Sequence, residues 1–214
     1  MEDSLRGDKT WTEFVVVRHG QTHWNAQERW QGWLDSELTE LGREQARAAA
    51  NALRAMKIDA VYSSDAGRAL ETAGIVATPH QLDVQPVEAL RERFYGDYEG
   101  LNTEEIEGRF PGTRYSKTRD TRDLWRPPGG ESLVEVAERV HAFLKELAVR
   151  HAGQRVLLIA HSGVVRVLDM ISSGQRLEDI WMRTPTNACV FILRGSSTGE
   201  LQVVRHFCEP AAGE

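Results

Sequence analysis

Phe14-Val15-Val16-Val17-Arg18-His19-Gly20 sets four apolar residues, three of them β-branched, directly before an arginine and a histidine. A short, unbroken apolar run of this kind fits a strand buried on both faces, as in a parallel sheet covered by helices on each side. An arginine at the end of such a strand needs an anionic partner, because an unpaired charge beside a core is costly. Taken alone, Arg18-His19-Gly20 reads equally well as a satisfied structural pair or as part of a binding site.

Working outward from this run, the chain alternates between helical and strand patterns. Leu41, Gln45, Ala48, Ala52, Leu53 and Met56 recur on one side of an alanine-rich segment, which predicts a helix over 39–56. A strand over 60–63 leads into a helix carrying Arg68 and Thr72, and a third strand over 83–87 precedes Leu90-Arg91-Glu92. Residues 95–130 are richer in Gly, Pro and charge and read as irregular, with a short helix near 104–109. Ser132-Leu133-Val134-Glu135 is a capping box opening a helix through Val136, Val140, Phe143, Leu144 and Leu147. A second buried-strand run, Val156-Leu157-Leu158-Ile159-Ala160, ends at His161, and a helix over 164–171 follows. Two last strands, near 189–193 and 201–205, flank the turn-rich 195–199 and predict a hairpin. Strands alternating with helices imply an α/β fold, a three-layer α/β/α sandwich around a mostly parallel sheet.

Bulk properties agree with one folded unit. With 214 residues and 41% apolar residues the chain can bury a sizeable core. The expectation is a single domain over 12–207 with loose tails at 1–11 and 208–214. A formal charge of −6 disfavours nucleic acid as a partner but leaves a small anionic substrate open. Met1-Glu2-Asp3-Ser4-Leu5-Arg6-Gly7-Asp8 has no apolar signal region, and no segment approaches membrane-spanning length. A soluble, cytoplasmic protein without a membrane partner is therefore expected. Cys189 and Cys208 lack metal-ligand spacing and read as reduced, packed thiols, a structural disulfide being the alternative.

In folds of this class ligands bind beyond the carboxyl ends of the strands. Arg18 and His19 lie at one such end, and His161 at another. Arg68 sits one turn into the helix after the second strand, and Glu92 just past the third. Two arginines, two histidines and an acid around one sheet edge make a phosphoryl-transfer set. Guanidinium forks match phosphate oxygens bidentately and stay charged at any working pH.

Arg18-His19-Gly20-Gln21-Thr22-His23-Trp24-Asn25, followed by Gln31-Gly32-Trp33-Leu34-Asp35-Ser36-Glu37-Leu38-Thr39-Glu40-Leu41-Gly42, resembles the histidine phosphatase superfamily. That superfamily includes the cofactor-dependent phosphoglycerate mutases. The similarity runs from about Phe14 to Leu193 with its motifs in order. It implies that His19 attacks phosphorus and becomes phosphohistidine, that Arg18, Arg68, His161 and Asn25 bind the phosphoryl oxygens, and that Glu92 protonates the leaving oxygen. Thr22 and Gly32 match substrate-contacting positions. It also implies that no metal and no cofactor is needed, since arginines and histidine take the place of magnesium. A homodimer rests on family analogy alone.

Chemistry asks the same of these residues. His19 must be neutral, with one ring nitrogen tied to a carbonyl to fix the tautomer. Glu92 serves as an acid only where its site keeps it protonated, which a neighbouring phosphate dianion favours.

Other features carry competing readings. His23, four residues after His19, has a zinc-like spacing but no third ligand nearby, and is expected to face substrate or solvent. Ser162 lacks the flanking glycines of a nucleophile elbow, having Ala160 and Val164 there. It also departs from the glycine common in the family, and either adds a hydroxyl to the phosphate pocket or does nothing. Trp30 and Trp33 read as core aromatics more readily than as cleft walls. Arg109, Arg114, Lys117, Arg119, Arg122 and Arg126 outnumber Asp120 and Asp123, as either an anion-attracting lid or a solvated basic face.

Three functions compete. The mutases of the family carry a longer insertion between the acid and the second histidine, so the short Glu92–His161 interval favours a phosphatase on a small phosphorylated metabolite. A mutase using the same phosphohistidine is the alternative. An inactive regulatory or binding relative predicts loss of His19 or Glu92, and both are present.

Overall fold

The computed structural model describes residues 11–113, 124–174 and 185–206. Six strands form one sheet: β1 (Trp11–Arg18), β2 (Ala60–Ser64), β3 (Val84–Val87), β4 (Arg155–Ala160), β5 (Val190–Ser196) and β6 (Leu201–His206). Their order across the sheet is β3-β2-β4-β1-β5-β6. The first four are mutually parallel, while β5 runs antiparallel to β1 and β6 antiparallel to β5. The helices are α1 (His23–Ala26), α2 (Glu40–Leu53), α3 (Gly67–Ala77), α4 (Thr103–Arg109), α5 (Leu133–Arg150) and α6 (Ser162–Ser173).

The apolar run of β1 is unbroken because the strand is the spine between two cores. Phe14 and Val16 point to one face, where they pack with Val136, Val140 and Leu144 of α5 and Val164 and Leu168 of α6. Val15 and Val17 point to the other, against Ala46, Ala49 and Leu53 of α2 and Ala69, Ala73 and Val76 of α3. All four β1 side chains are fully buried, and a strand with period 2 can fill two cores only if every position is apolar. The three-layer sandwich read from the sequence is the observed fold.

Local signals set the element ends. Thr39 caps α2 by accepting from Gly42 N–H, and Ser132 with Glu135 forms the predicted capping box on α5. The hairpin over 195–199 joins β5 to β6 as expected. Several boundaries shift by a few residues, and two of the shifts change a residue's role. Trp11, read as part of a loose tail, already belongs to β1, where Arg194 stacks over its ring. The helix after β4 starts at Ser162 rather than at residue 164, so His161 is its N-cap. Cys189 is a buried thiol, and Cys208 lies outside the described residues.

Candidate active site

The carboxyl ends of β1 and β4 are neighbours, with Arg18 paired to Ala160, so the residues that follow them are brought side by side. The backbone N–H of His19 donates to the Ala160 carbonyl at 2.9 Å, and its own carbonyl accepts from Ala188 N–H and Asn187 Nδ2. The ring of His19 thus lies 5.1 Å from that of His161, edge to face. Gly20 is required for this turn: a Cβ there would strike the Gly42 carbonyl at the start of α2. The Gly20 N–H donates instead to Thr72 Oγ1 of α3, which donates to the Arg68 carbonyl.

His19 is 3% exposed, and its Nδ1 sits 2.7 Å from the Gly20 carbonyl oxygen. A carbonyl can only accept, so Nδ1 carries the proton and Nε2 keeps its lone pair. Burial pushes the His19 pKa well below the ordinary imidazole value, and the Arg68 and Arg18 charges push it the same way. His161 is fully buried, and burial, Arg68, His19 and Arg18 likewise hold it neutral. Both its ring nitrogens lack a partner among the described residues. A buried polar atom without a partner is an unmet demand that an incoming ligand can satisfy.

Arg68 is 1% exposed and is held by its surroundings. Its Nη1 donates to the Leu34 carbonyl and to Asp35 Oδ1, both at 2.8 Å, and Nη2 to the Gly32 carbonyl at 2.7 Å. Nε remains without a partner among the described residues. Arg18 donates through Nη1 to the Pro185 carbonyl, and its Nε too is unpartnered among the described residues. Desolvation lowers the Arg18 pKa, opposed by the Glu92 carboxylate across the site.

Glu92 is 6% exposed and follows the turn after β3. Its backbone carbonyl accepts from Arg139 Nη2 of α5 at 2.9 Å and from Trp33 Nε1 at 3.0 Å. Its carboxylate accepts from Arg93 N–H at 2.8 Å, Gly163 N–H at 3.0 Å and Ser162 Oγ at 3.1 Å.

Arg18, His19, Asn25, Gly32, Arg68, Glu92 and Ser162 line one cleft of about 330 Å³. Asn25 Oδ1 accepts from Thr22 N–H and from Asn187, so its Nδ2 donors are the part left for a ligand. Gly32 has a left-handed φ of +58°, and a Cβ there would collide with Glu99. Thr22 stands apart. It is fully buried, and its side chain caps α1, so it supports Asn25 rather than lining the cleft. His23 is exposed.

Several cleft residues escaped the sequence reading. Arg29, Gln31, Tyr95 and Arg166 share the wall with those predicted and with Trp30. Arg166 lies one helical turn beyond Ser162, a spacing that could have flagged it. Gln31 is buried with an unpartnered Oε1. Glu99 pins the 33–34 backbone through N–H donations from Trp33 and Leu34. The preference for core aromatics is corrected at both tryptophans. Trp30 meets Tyr95 edge to face in the cleft wall, and Trp33 is 44% exposed beneath the Arg91 guanidinium. Of the basic 109–127 stretch, Arg109 is exposed and Arg126 pairs with Glu135 at 2.9 Å, while 114–123 lie outside the described residues. Among the described residues no group of His, Cys, Asp or Glu is arranged to hold a metal, and no helix is long and apolar enough to cross a membrane.

A buried neutral histidine with one free nitrogen, flanked by two arginines and a second histidine, lines the same cleft as an acid. Residues 14–208 match the family model for the histidine phosphatase superfamily (branch 1). The chain belongs to that superfamily. Phosphoglycerate mutase-like protein 4 of Arabidopsis thaliana is 41% identical over 75% of this chain and 71% of its own length. A 2,3-bisphosphoglycerate-dependent phosphoglycerate mutase of a Methylobacterium species is 35% identical over 89% of this chain and 95% of its own. Among solved structures, a mycobacterial glucosyl-3-phosphoglycerate phosphatase in complex with VO3 superposes with a TM-score of 0.80 at 32% identity, covering 92% of this chain and 99% of that one. This histidine phosphatase is thus an enzyme of the phosphatase type.

Proposed function

We propose that the enzyme is a cytoplasmic, metal-independent phosphomonoesterase for a small anionic metabolite, working through a phosphohistidine on His19. The observation that carries this reading is the state of His19: neutral, tautomer fixed by the Gly20 carbonyl, Nε2 free beside unpartnered donors. In the first step a bond forms between His19 Nε2 and phosphorus while the bond from phosphorus to the leaving oxygen breaks. Glu92 gives that oxygen a proton, so the alcohol leaves neutral. Arg18, Arg68, His161 and Asn25 hold the equatorial oxygens, and their positions are set before the substrate arrives. In the second step water attacks phosphorus, the Nε2–phosphorus bond breaks, and Glu92 takes the water proton. The charge compensation usually given by magnesium comes from the arginines.

A phosphatase is supported by a closer superposition on a phosphatase structure, TM-score 0.80 at 32% identity, than on a phosphoglycerate mutase structure, 0.73 at 26%, while both activities share the His19 chemistry. A panel of phosphorylated metabolites, assayed for inorganic phosphate and for conversion of 3-phosphoglycerate to 2-phosphoglycerate, tests this. Phosphate release from a monoester is the expected result. Efficient isomerisation with negligible phosphate release overturns it.

A further inference from the structure

We infer that Ser162 is a positioning residue that assigns the transferable proton of Glu92 to one carboxyl oxygen, Oε2, and steadies that oxygen as the proton leaves. The inference rests on the acid/base role proposed for Glu92 and deepens it.

The two carboxyl oxygens have different neighbours. Oε1 accepts from Arg93 N–H at 2.8 Å and Gly163 N–H at 3.0 Å. Both partners are backbone amides, which donate and never accept, so a proton on Oε1 would have no acceptor there and would displace at least one of the two bonds. Oε2 has a longer contact of 3.2 Å with the same Gly163 amide and a contact of 3.1 Å with Ser162 Oγ. A hydroxyl can turn, donating to a carboxylate and accepting from a carboxylic acid. Neutral Glu92 therefore keeps all of its close partners only when the proton sits on Oε2.

The location supports the assignment. His161 is the N-cap of α6 but offers no side-chain cap, and the Glu92 carboxylate fills that place from a different element by accepting the Gly163 N–H. A Cβ at residue 163 would collide with the Glu92 carboxylate, so the glycine is what admits the acid. Ser162, the first helical residue, brings its hydroxyl alongside the second oxygen and is itself part of the cleft wall. A glycine at 162 would leave Oε2 without it.

With substrate in the cleft the Oε2–H turns from Ser162 to the leaving oxygen; the bond from phosphorus to that oxygen breaks as the Nε2–phosphorus bond forms, the oxygen takes the proton as the Oε2–H bond breaks, and the Ser162 hydroxyl turns to donate to the charge appearing on Oε2. Water attack reverses each change.

Ser162→Ala, with Ser162→Gly as a second variant, tests this across aryl and alkyl phosphomonoesters of rising leaving-group basicity, read as kcat/KM. Nitrophenolate leaves without protonation, so p-nitrophenyl phosphate should stay within about twofold of wild type. Alkyl esters should fall by roughly tenfold or more, the effect of losing a hydrogen bond to a charged group. An equal fall on both classes, or no fall on either, overturns the inference. If instead wild type shows no dependence on Glu92 at all, with Glu92→Gln fully active on alkyl esters, the underlying acid/base role fails first.

Discussion

Replacing Arg68 with methionine removes a buried fork while keeping most of its volume. A guanidinium has five N–H donors, and three of those on Arg68 are spent on the Leu34 and Gly32 carbonyls and Asp35 Oδ1. Two remain: the Nε–H, which is unpartnered, and one hydrogen on Nη2. Nε and Nη2 form one edge of the plane, a side-on pair matched to two phosphate oxygens. Two charge-assisted hydrogen bonds at about 1.5–3 kcal/mol each amount to about 3–6 kcal/mol of transition-state binding. At about 1.36 kcal/mol per decade, kcat/KM for p-nitrophenyl phosphate should fall by roughly 10²–10⁴. Inhibition by inorganic phosphate should weaken in parallel, since the product makes the same contacts. Circular dichroism and a melting curve check that the fold persists. An Arg68→Met enzyme that is folded and keeps kcat/KM within about fivefold of wild type would refute the assignment of Arg68 to the phosphoryl group.

The remaining expectations concern pH and metal. His19 and His161 have folded pKa values depressed well below the ordinary 6.5, so below that pH the unfolded chain binds protons that the native site refuses. Stability then falls as pH drops through the unfolded value, by up to about 1.4 kcal/mol per pH unit for each histidine. Urea melts between pH 7 and pH 5 should show this slope, and His161→Gln should reduce it; an unchanged slope counts against a buried neutral His161. Extended dialysis against EDTA should leave kcat unchanged, whereas loss of activity restored by a divalent ion would contradict metal independence.

The parts of this molecule legible in its sequence are those governed by period and burial. Val15, Val16 and Val17 announce a two-sided strand because each fills one of two cores, and Ser132 with Glu135 announces a helix start because capping is local. Arg18, His19, Arg68, Glu92 and His161 were readable as a site because strand ends in an α/β sheet converge on one edge. Gln31, Tyr95 and Arg166 were not, since their place in the cleft depends on how loops fold back and on which helix face turns inward. Thr22 shows the converse. A motif position points to substrate contact, while the local backbone engages its side chain as a cap. Ser162 was ambiguous for a related reason: its hydroxyl meets Glu92 across 70 residues of sequence, a pairing set by tertiary packing.

The most direct test is to trap the intermediate. Wild-type enzyme quenched in base during turnover of a radiolabelled phosphomonoester should carry acid-labile label, mapped by peptide mass spectrometry to His19, and His19→Ala should carry none. Turnover without any acid-labile label, or label at a residue other than His19, would contradict the account.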